Sequence, residues 1–178
     1  MATYFICKTM NEKYEHLKYL MERFDHYYDT INNKGAFYIG LNTFMLGGII
    51  AGYFGLKTQI ANDIPIWSFL ILLTICTYIS IAYTIKSMRP HTKDNYSNDD
   101  CSSLVFFGGV AKHPLNLFID KINTTTDPEV IEDMTRQIHC LAVGLEKKFK
   151  RLKIGNDFLL AQFYLLIPLT ILILIKIN

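Results

Sequence analysis

The sequence predicts an all-α membrane protein with three transmembrane helices, long cytosolic stalk helices and one short extended segment. Three observations lead there. Three stretches long enough to cross a bilayer carry no charged residue, basic residues crowd the ends of those stretches mainly on one side, and two polar segments repeat apolar residues at alternating steps of four and three.

The first stretch runs from Gly35 to Leu56, closed by Lys34 and Lys57, and the second from Ile64 to Ile85, with Pro65 in its first turn and Trp67 near an interface. At 1.5 Å per residue each crosses a hydrocarbon core of roughly 30 Å. The third, Phe158 to Ile175, is shorter and contains Pro168, which places it at the lower end of the spanning range. As buried helices of a water-soluble protein, these runs would need a polar shell that the remaining residues are too few to supply. The polar and charged stretch from Lys8 to Lys34 precedes any apolar run, so no cleavable signal peptide is expected and the first span is retained.

Orientation follows from the basic residues. Arg23, Lys34, Lys86, Arg89, Lys93, Lys147, Lys148, Lys150, Arg151 and Lys153 flank the spans on one side, whereas Lys57 and Lys176 lie on the other. Positive residues stay on the cytoplasmic side. The N-terminus and residues 86–157 are therefore expected in the cytosol, with the 57–63 connection and the C-terminal tail outside.

Within residues 9–34, Met10, Tyr14, Leu17, Met21, Phe24, Tyr28 and Ile31 form a heptad seam with charged residues on the other faces. A second seam in residues 128–157 passes through Ile131, Met134, Ile138, Leu141, Leu145 and Leu152, with Lys148 where an apolar residue is due. Asp127 is placed to cap this helix, with Pro128 at its first position. Both helices lead into spans, so their seams can pack in parallel, within one chain or between chains. Between the second span and this helix, residues 86–127 form a cytosolic loop. Within it, Ser103 to Gly108 has the β-branched and aromatic character of a strand without a partner strand, or of an extended segment held against the stalks.

Composition excludes several functions. Apolar residues make up 51% of the chain and charged ones 19%, and a net charge of +2 is too small for a nucleic-acid polymer to be the partner. The four cysteines, Cys7, Cys76, Cys101 and Cys140, show no CxxC pairing and are expected as reduced thiols. No GxSxG, HExxH, phosphate-binding lysine loop or GxGxxG is present, and the five histidines do not cluster, so neither an enzyme nor a metal or cofactor site is expected. His139 and Cys140, adjacent on a helix, point about 100° apart. In the first span, Gly48 and Gly52 form a GxxxG beside a row of Gly47, Ala51 and Gly55, suited to close helix approach within the chain or between protomers. Asn42, Thr43 and Gln162 are polar groups within spans and are expected to face protein or a water path.

In order along the chain, Lys34-Gly35, Asn42 in the first span, Arg89-Pro90 after the second, Ser103-Leu104-Val105-Phe106-Phe107-Gly108, Gln137-Ile138 and the basic run Lys147 to Lys153 resemble the membrane effectors of bacterial Pycsar anti-phage defence. The resemblance covers almost the whole chain, and the SLxFFG segment is its most specific part. Gly109 departs from the family pattern, where a varied residue is expected. The resemblance implies a bacterial inner-membrane protein that senses a cyclic pyrimidine mononucleotide, cyclic CMP or cyclic UMP, made by a neighbouring cyclase. It would then impair the membrane and cause abortive infection. A cyclic nucleotide needs a cation or backbone N–H groups for its phosphate and a stacking surface for its base. Arg89, Ser102, Ser103, Phe106, Phe107, Gly108 and Lys112 are the candidate contacts, although for Phe106 and Phe107 the role of an apolar anchor for the loop is the somewhat better fit. Gly48, Gly52 and Asn42 are the candidates for helix packing or homo-oligomerisation. The competing expectation is a structural membrane adaptor that recruits a partner through its cytosolic coiled coil.

Overall fold

The computed structural model describes residues 2–60, 63–89 and 103–177, with side chains over 10–58, 63–89 and 103–176. Five helices account for nearly all of them: α1 Ala2–Ile60, α2 Ile64–Met88, α3 Phe107–Val110, α4 Leu115–Thr124 and α5 Asp127–Ile177. Three of these, α1, α2 and α5, contain stretches long and apolar enough to cross a membrane. The protein is an all-α membrane protein, without a strand among the described residues.

The chain forms two compact units, one of residues 1–28 and 90–146, the other of 29–89 and 147–178. In the second, spanning unit, the heptad pattern continues beyond Ile31. On α1, Ile31, Gly35, Asn42 and Met45 are buried, and on α5, Lys148, Leu152, Gly155, Leu159, Gln162 and Leu169 are. These positions keep the alternating steps of three and four that let straight helices share one seam. The opposite faces carry Phe37, Phe44, Phe54, Ile75, Tyr78, Tyr164 and Ile171, all exposed, as lipid-facing surfaces are. Pro168 lies inside α5 and the helix continues through it, because in a spanning helix packed neighbours tolerate the missing N–H.

Helix α2 is fastened at both ends. Asp63 caps its N-terminus, accepting from the Ile66 N–H at 3.5 Å, and also pairs with Lys176 of α5 at 3.3 Å. At the other end, Lys148 Nζ donates to the Met88 carbonyl at 3.4 Å and Arg151 to the Lys86 carbonyl at 3.3 Å. Carboxylate at the N-terminus and cations at the C-terminal carbonyls both suit the helix dipole. Lys148 thus occupies its apolar seam position because its ammonium reaches a helix end. Burial, and secondarily Arg151, lower its pKa below the usual lysine value.

In the first unit, α1 and α5 pack side by side within one chain. Tyr28 Oη donates to the Leu141 carbonyl at 3.0 Å, while Glu12 to Leu17 share a groove with Ile131 and Thr135, so the two helices run parallel. Burial, and then the Asp25 carboxylate, push the Tyr28 phenol above its ordinary pKa.

The start of α5 differs from expectation. Thr126, not Asp127, is the cap: its carbonyl accepts from Val130 N–H, and Glu129 accepts both the Thr126 N–H at 2.7 Å and its hydroxyl at 2.8 Å. Threonine followed three residues later by glutamate is a capping box, which displaces Asp127 and Pro128 into the first turn. Residues 115–124, expected within a loop, form the amphipathic helix α4.

Candidate functional site

The spanning unit holds a polar cluster among its three helices. Asn42 of α1 donates to the Tyr38 carbonyl at 2.7 Å and to Ser80 Oγ of α2 at 3.0 Å. Gln162 of α5 donates to Asn42 Oδ1 at 2.9 Å and accepts from Thr77 of α2 at 3.0 Å, while Ser80 donates to the Gly155 carbonyl at 2.8 Å. Asn42, Thr77, Ser80 and Gln162 are fully buried. Each carboxamide therefore satisfies its donors and its oxygen inside the protein, which is how polar groups persist at membrane depth. Asn42 and Gln162 face protein, as their type predicts, whereas Thr43 is exposed and satisfies its hydroxyl on the Ile39 carbonyl of its own helix at 2.9 Å.

Two further features of this unit were not separated in the sequence. Thr77, Ser80, Thr84 and Ser87 follow the same three-four spacing on α2, and all four are fully buried. Gly155 lets α5 approach them: a Cβ there would lie 2.7 Å from Thr84 Oγ1 and 3.3 Å from the Ser80 carbonyl oxygen. Gly35 does the same for α1 against Met88 and Thr84. Hydroxyl spacing along the charge-free run and just past Lys86 was the available signal.

By contrast, a Cβ on Gly40, Gly47, Gly48, Gly52 or Gly55 would meet nothing within 4 Å. The GxxxG face of α1 is therefore not used for packing against the chain's own helices.

In the first unit, the Ser103 to Gly108 segment is a turn followed by α3 rather than a strand, wound around Asp133 of α5. One carboxylate oxygen of Asp133 accepts from Ser103 Oγ at 3.1 Å, the Leu104 N–H at 2.8 Å and the Val105 N–H at 3.3 Å. Ser103 Oγ in turn accepts from the Phe106 N–H at 3.0 Å and from Gln137 Nε2 at 3.1 Å. Convergent N–H groups of this kind hold an anion, and here the anion is the protein's own carboxylate. Local hydrogen bonding outweighs the strand propensity of Leu104 to Phe107.

The other candidate contacts are distributed differently. The Phe106 ring folds over Gly108, where a Cβ would lie 2.5 Å away, and it packs on Phe107 with ring centroids 4.7 Å apart. Phe107 is 72% exposed. Lys112 is exposed in the same unit, whereas Arg89 belongs to the spanning unit as the C-cap of α2, and Ser102 lies outside the described residues. Beside Leu104 and Val105 opens a cleft of about 360 Å³, bounded by Lys121, Thr125, Glu129, Asp133 and Arg136. Its volume is at the lower end of small-molecule sites, roughly 300–1,000 Å³. Among the described residues no group of histidine, cysteine, aspartate and glutamate side chains is placed to hold a metal ion. Cys76 and Cys140 are free thiols, while Cys7 and Cys101 lie outside the described side chains.

Three helices long and apolar enough to cross a bilayer, with a buried polar cluster among them, define an integral membrane protein. The family model of the Pycsar effector protein domain matches residues 16–176, and the chain belongs to that family. No curated protein and no solved structure matches the chain. Membership places the protein in the Pycsar anti-phage system, among membrane effectors rather than a known enzyme family.

Proposed function

We propose that the protein senses cyclic CMP or cyclic UMP, supplied by a neighbouring pyrimidine cyclase, and then impairs the inner membrane so that the infected cell dies before phage spreads. The observation that carries this reading is the family match across residues 16–176, which takes in all three spans and the turn around Asp133. The basic residues crowded at one side of the span ends support a cytoplasmic N-terminus. Nucleotide contact is assigned to the turn and the adjoining cleft. Exposed Phe107 offers a stacking face, and Lys112, Lys121 and Arg136 are cations for the phosphate. Ser103 positions this surface through Asp133.

Helices α1 and α5 are each continuous from one unit into the other, so a ligand that shifts their packing has a covalent route into the spans. The open glycine face of α1 supports association with further copies. The test is co-expression with a pyrimidine cyclase while membrane potential is followed with a dye. It is paired with calorimetric titration of the detergent-solubilised protein with cyclic CMP, UMP, AMP and GMP. Depolarisation that depends on the cyclase, with heat only for a pyrimidine nucleotide, is expected. A steady potential, or no binding, refutes the reading.

A further inference from the structure

We propose that the buried hydroxyl row of α2 is the closed form of an aqueous path through the spanning unit itself, lined at Thr84 and shut by the Ile66–Leu169 contact. The inference rests on the reading that the protein breaches a membrane, and it adds the route: within one chain's helices rather than only between chains.

Helix contact in lipid does not require hydroxyls. Small residues let backbones approach, and glycines at 35 and 155 already supply that. Yet α2 carries Thr77, Ser80, Thr84 and Ser87 along the face it buries, each fully inaccessible. Two of them earn their place by binding neighbours: Thr77 holds Gln162, and Ser80 holds both Asn42 and the Gly155 carbonyl. Thr84 does not. Its Oγ1 is buried, points at Gly155 and has no hydrogen-bond partner. An unpaired polar atom at this depth is costly, so gluing the helices together does not account for it. A surface that takes up water once the helices part does account for it.

The row also ends sharply. Beyond Thr77, the buried face of α2 becomes Cys76, Leu73 and Ile66, and Ile66 packs on Leu169 among Tyr53, Leu56, Phe69 and Leu70. The unit therefore has a polar half, beginning where Lys148 and Arg151 meet the α2 carbonyls, and a dry half that excludes water. Apolar constrictions gate pores by dewetting, and polar walls lower the cost of hydration. Separation of α5 from α2 at Gly155 would hydrate the hydroxyls first and leave the Ile66–Leu169 contact as the final barrier.

The experiment compares the full-length protein with the T84V/S87A variant in cells co-expressing a pyrimidine cyclase, reading membrane potential. Thr84→Val is near-isosteric and removes no hydrogen bond to another residue's side chain, and Ser87 donates to a carbonyl of its own helix, so accumulation is expected to be unchanged. Loss of depolarisation in the variant is the expected result. A second measurement uses Thr84→Cys, with the native cysteines replaced by serine and a small charged thiol reagent as probe. Labelling is expected only when the cyclase is active, while lipid-facing Tyr78→Cys remains unlabelled throughout. If the wild type depolarises but T84V/S87A does so equally, or Thr84→Cys never labels, the route lies elsewhere and the proposed function survives. A wild type that never depolarises overturns both.

Discussion

Gln162 Nε2 donates to Asn42 Oδ1 at 2.9 Å across 120 residues of sequence, joining α5 to α1 at a point where both are sealed from solvent. The same Gln162 accepts from Thr77, so one side chain ties all three spans.

Replacing Gln162 by leucine should leave Asn42 and Thr77 short of a partner. Interhelical hydrogen bonds in membranes contribute about 0.6–2 kcal/mol each, and a stranded polar group costs about 1–3 kcal/mol. A loss of roughly 1–3 kcal/mol is expected in reversible unfolding from mixed micelles. Adding Asn42→Leu should cost less than the sum of the two single changes, because the second removes a group already orphaned.

Gly155→Ala and Gly48→Ala should behave oppositely. A methyl group at position 155 meets Thr84 Oγ1 and backbone atoms of α2, and such overpacking typically costs about 1–3 kcal/mol. At position 48 it meets nothing. Thermal stability in detergent should fall for the first and hold for the second. Gly48→Leu with Gly52→Leu should leave the monomer fold intact and reduce cross-linked oligomers.

Asp133→Ala removes the acceptor for the Ser103 hydroxyl and two backbone N–H groups. Hydrogen bonds to a charged group contribute about 1.5–3 kcal/mol each in mutational series. The turn should become the first site cut by protease, and the midpoint of unfolding should fall. Nucleotide binding, measured by calorimetry, should weaken as the Phe107 surface loses its support.

Glu129 provides a test by pH. Its carboxylate accepts the Thr126 N–H and hydroxyl, and these bonds, the backbone one foremost, lower its pKa below the ordinary 4.5. The unfolded chain then binds more protons in that range. The stabilisation is complete above the unfolded value and disappears as pH falls through the lower, folded value. Glu129→Gln should flatten this part of the stability profile while leaving the neutral-to-alkaline part parallel to wild type.

Much of the spanning architecture was legible because it depends on one-dimensional signals. Charge-free length marks the spans, and heptad spacing marked the α1 and α5 seams, including the displaced Lys148. What was not legible depends on contacts distant in sequence or on competing local chemistry. Asn42 and Gln162 were recognisable as buried polar groups, but their partnership is 120 residues long. Leu104 to Phe107 has strand propensity that a single carboxylate, Asp133, overrules. Thr126 and Glu129 did spell a capping box, obscured by Asp127 and Pro128, which suit a helix start almost as well. Helix α4 was marked by Leu115, Phe118, Ile119 and Ile122, a pattern only three turns long in a polar loop.

Because Asp63 is held by Lys176 while the Lys86 and Met88 carbonyls are held by Arg151 and Lys148, α2 is anchored to the same neighbouring rod at top and bottom. Translation along its axis would have to break both anchors together. Rotation about that axis would break the Thr77, Ser80 and Asn42 bonds on its buried face, whereas a tilt pivoting on one anchor spares that anchor. Any movement of this middle helix is therefore biased toward swinging one end while the other keeps its depth.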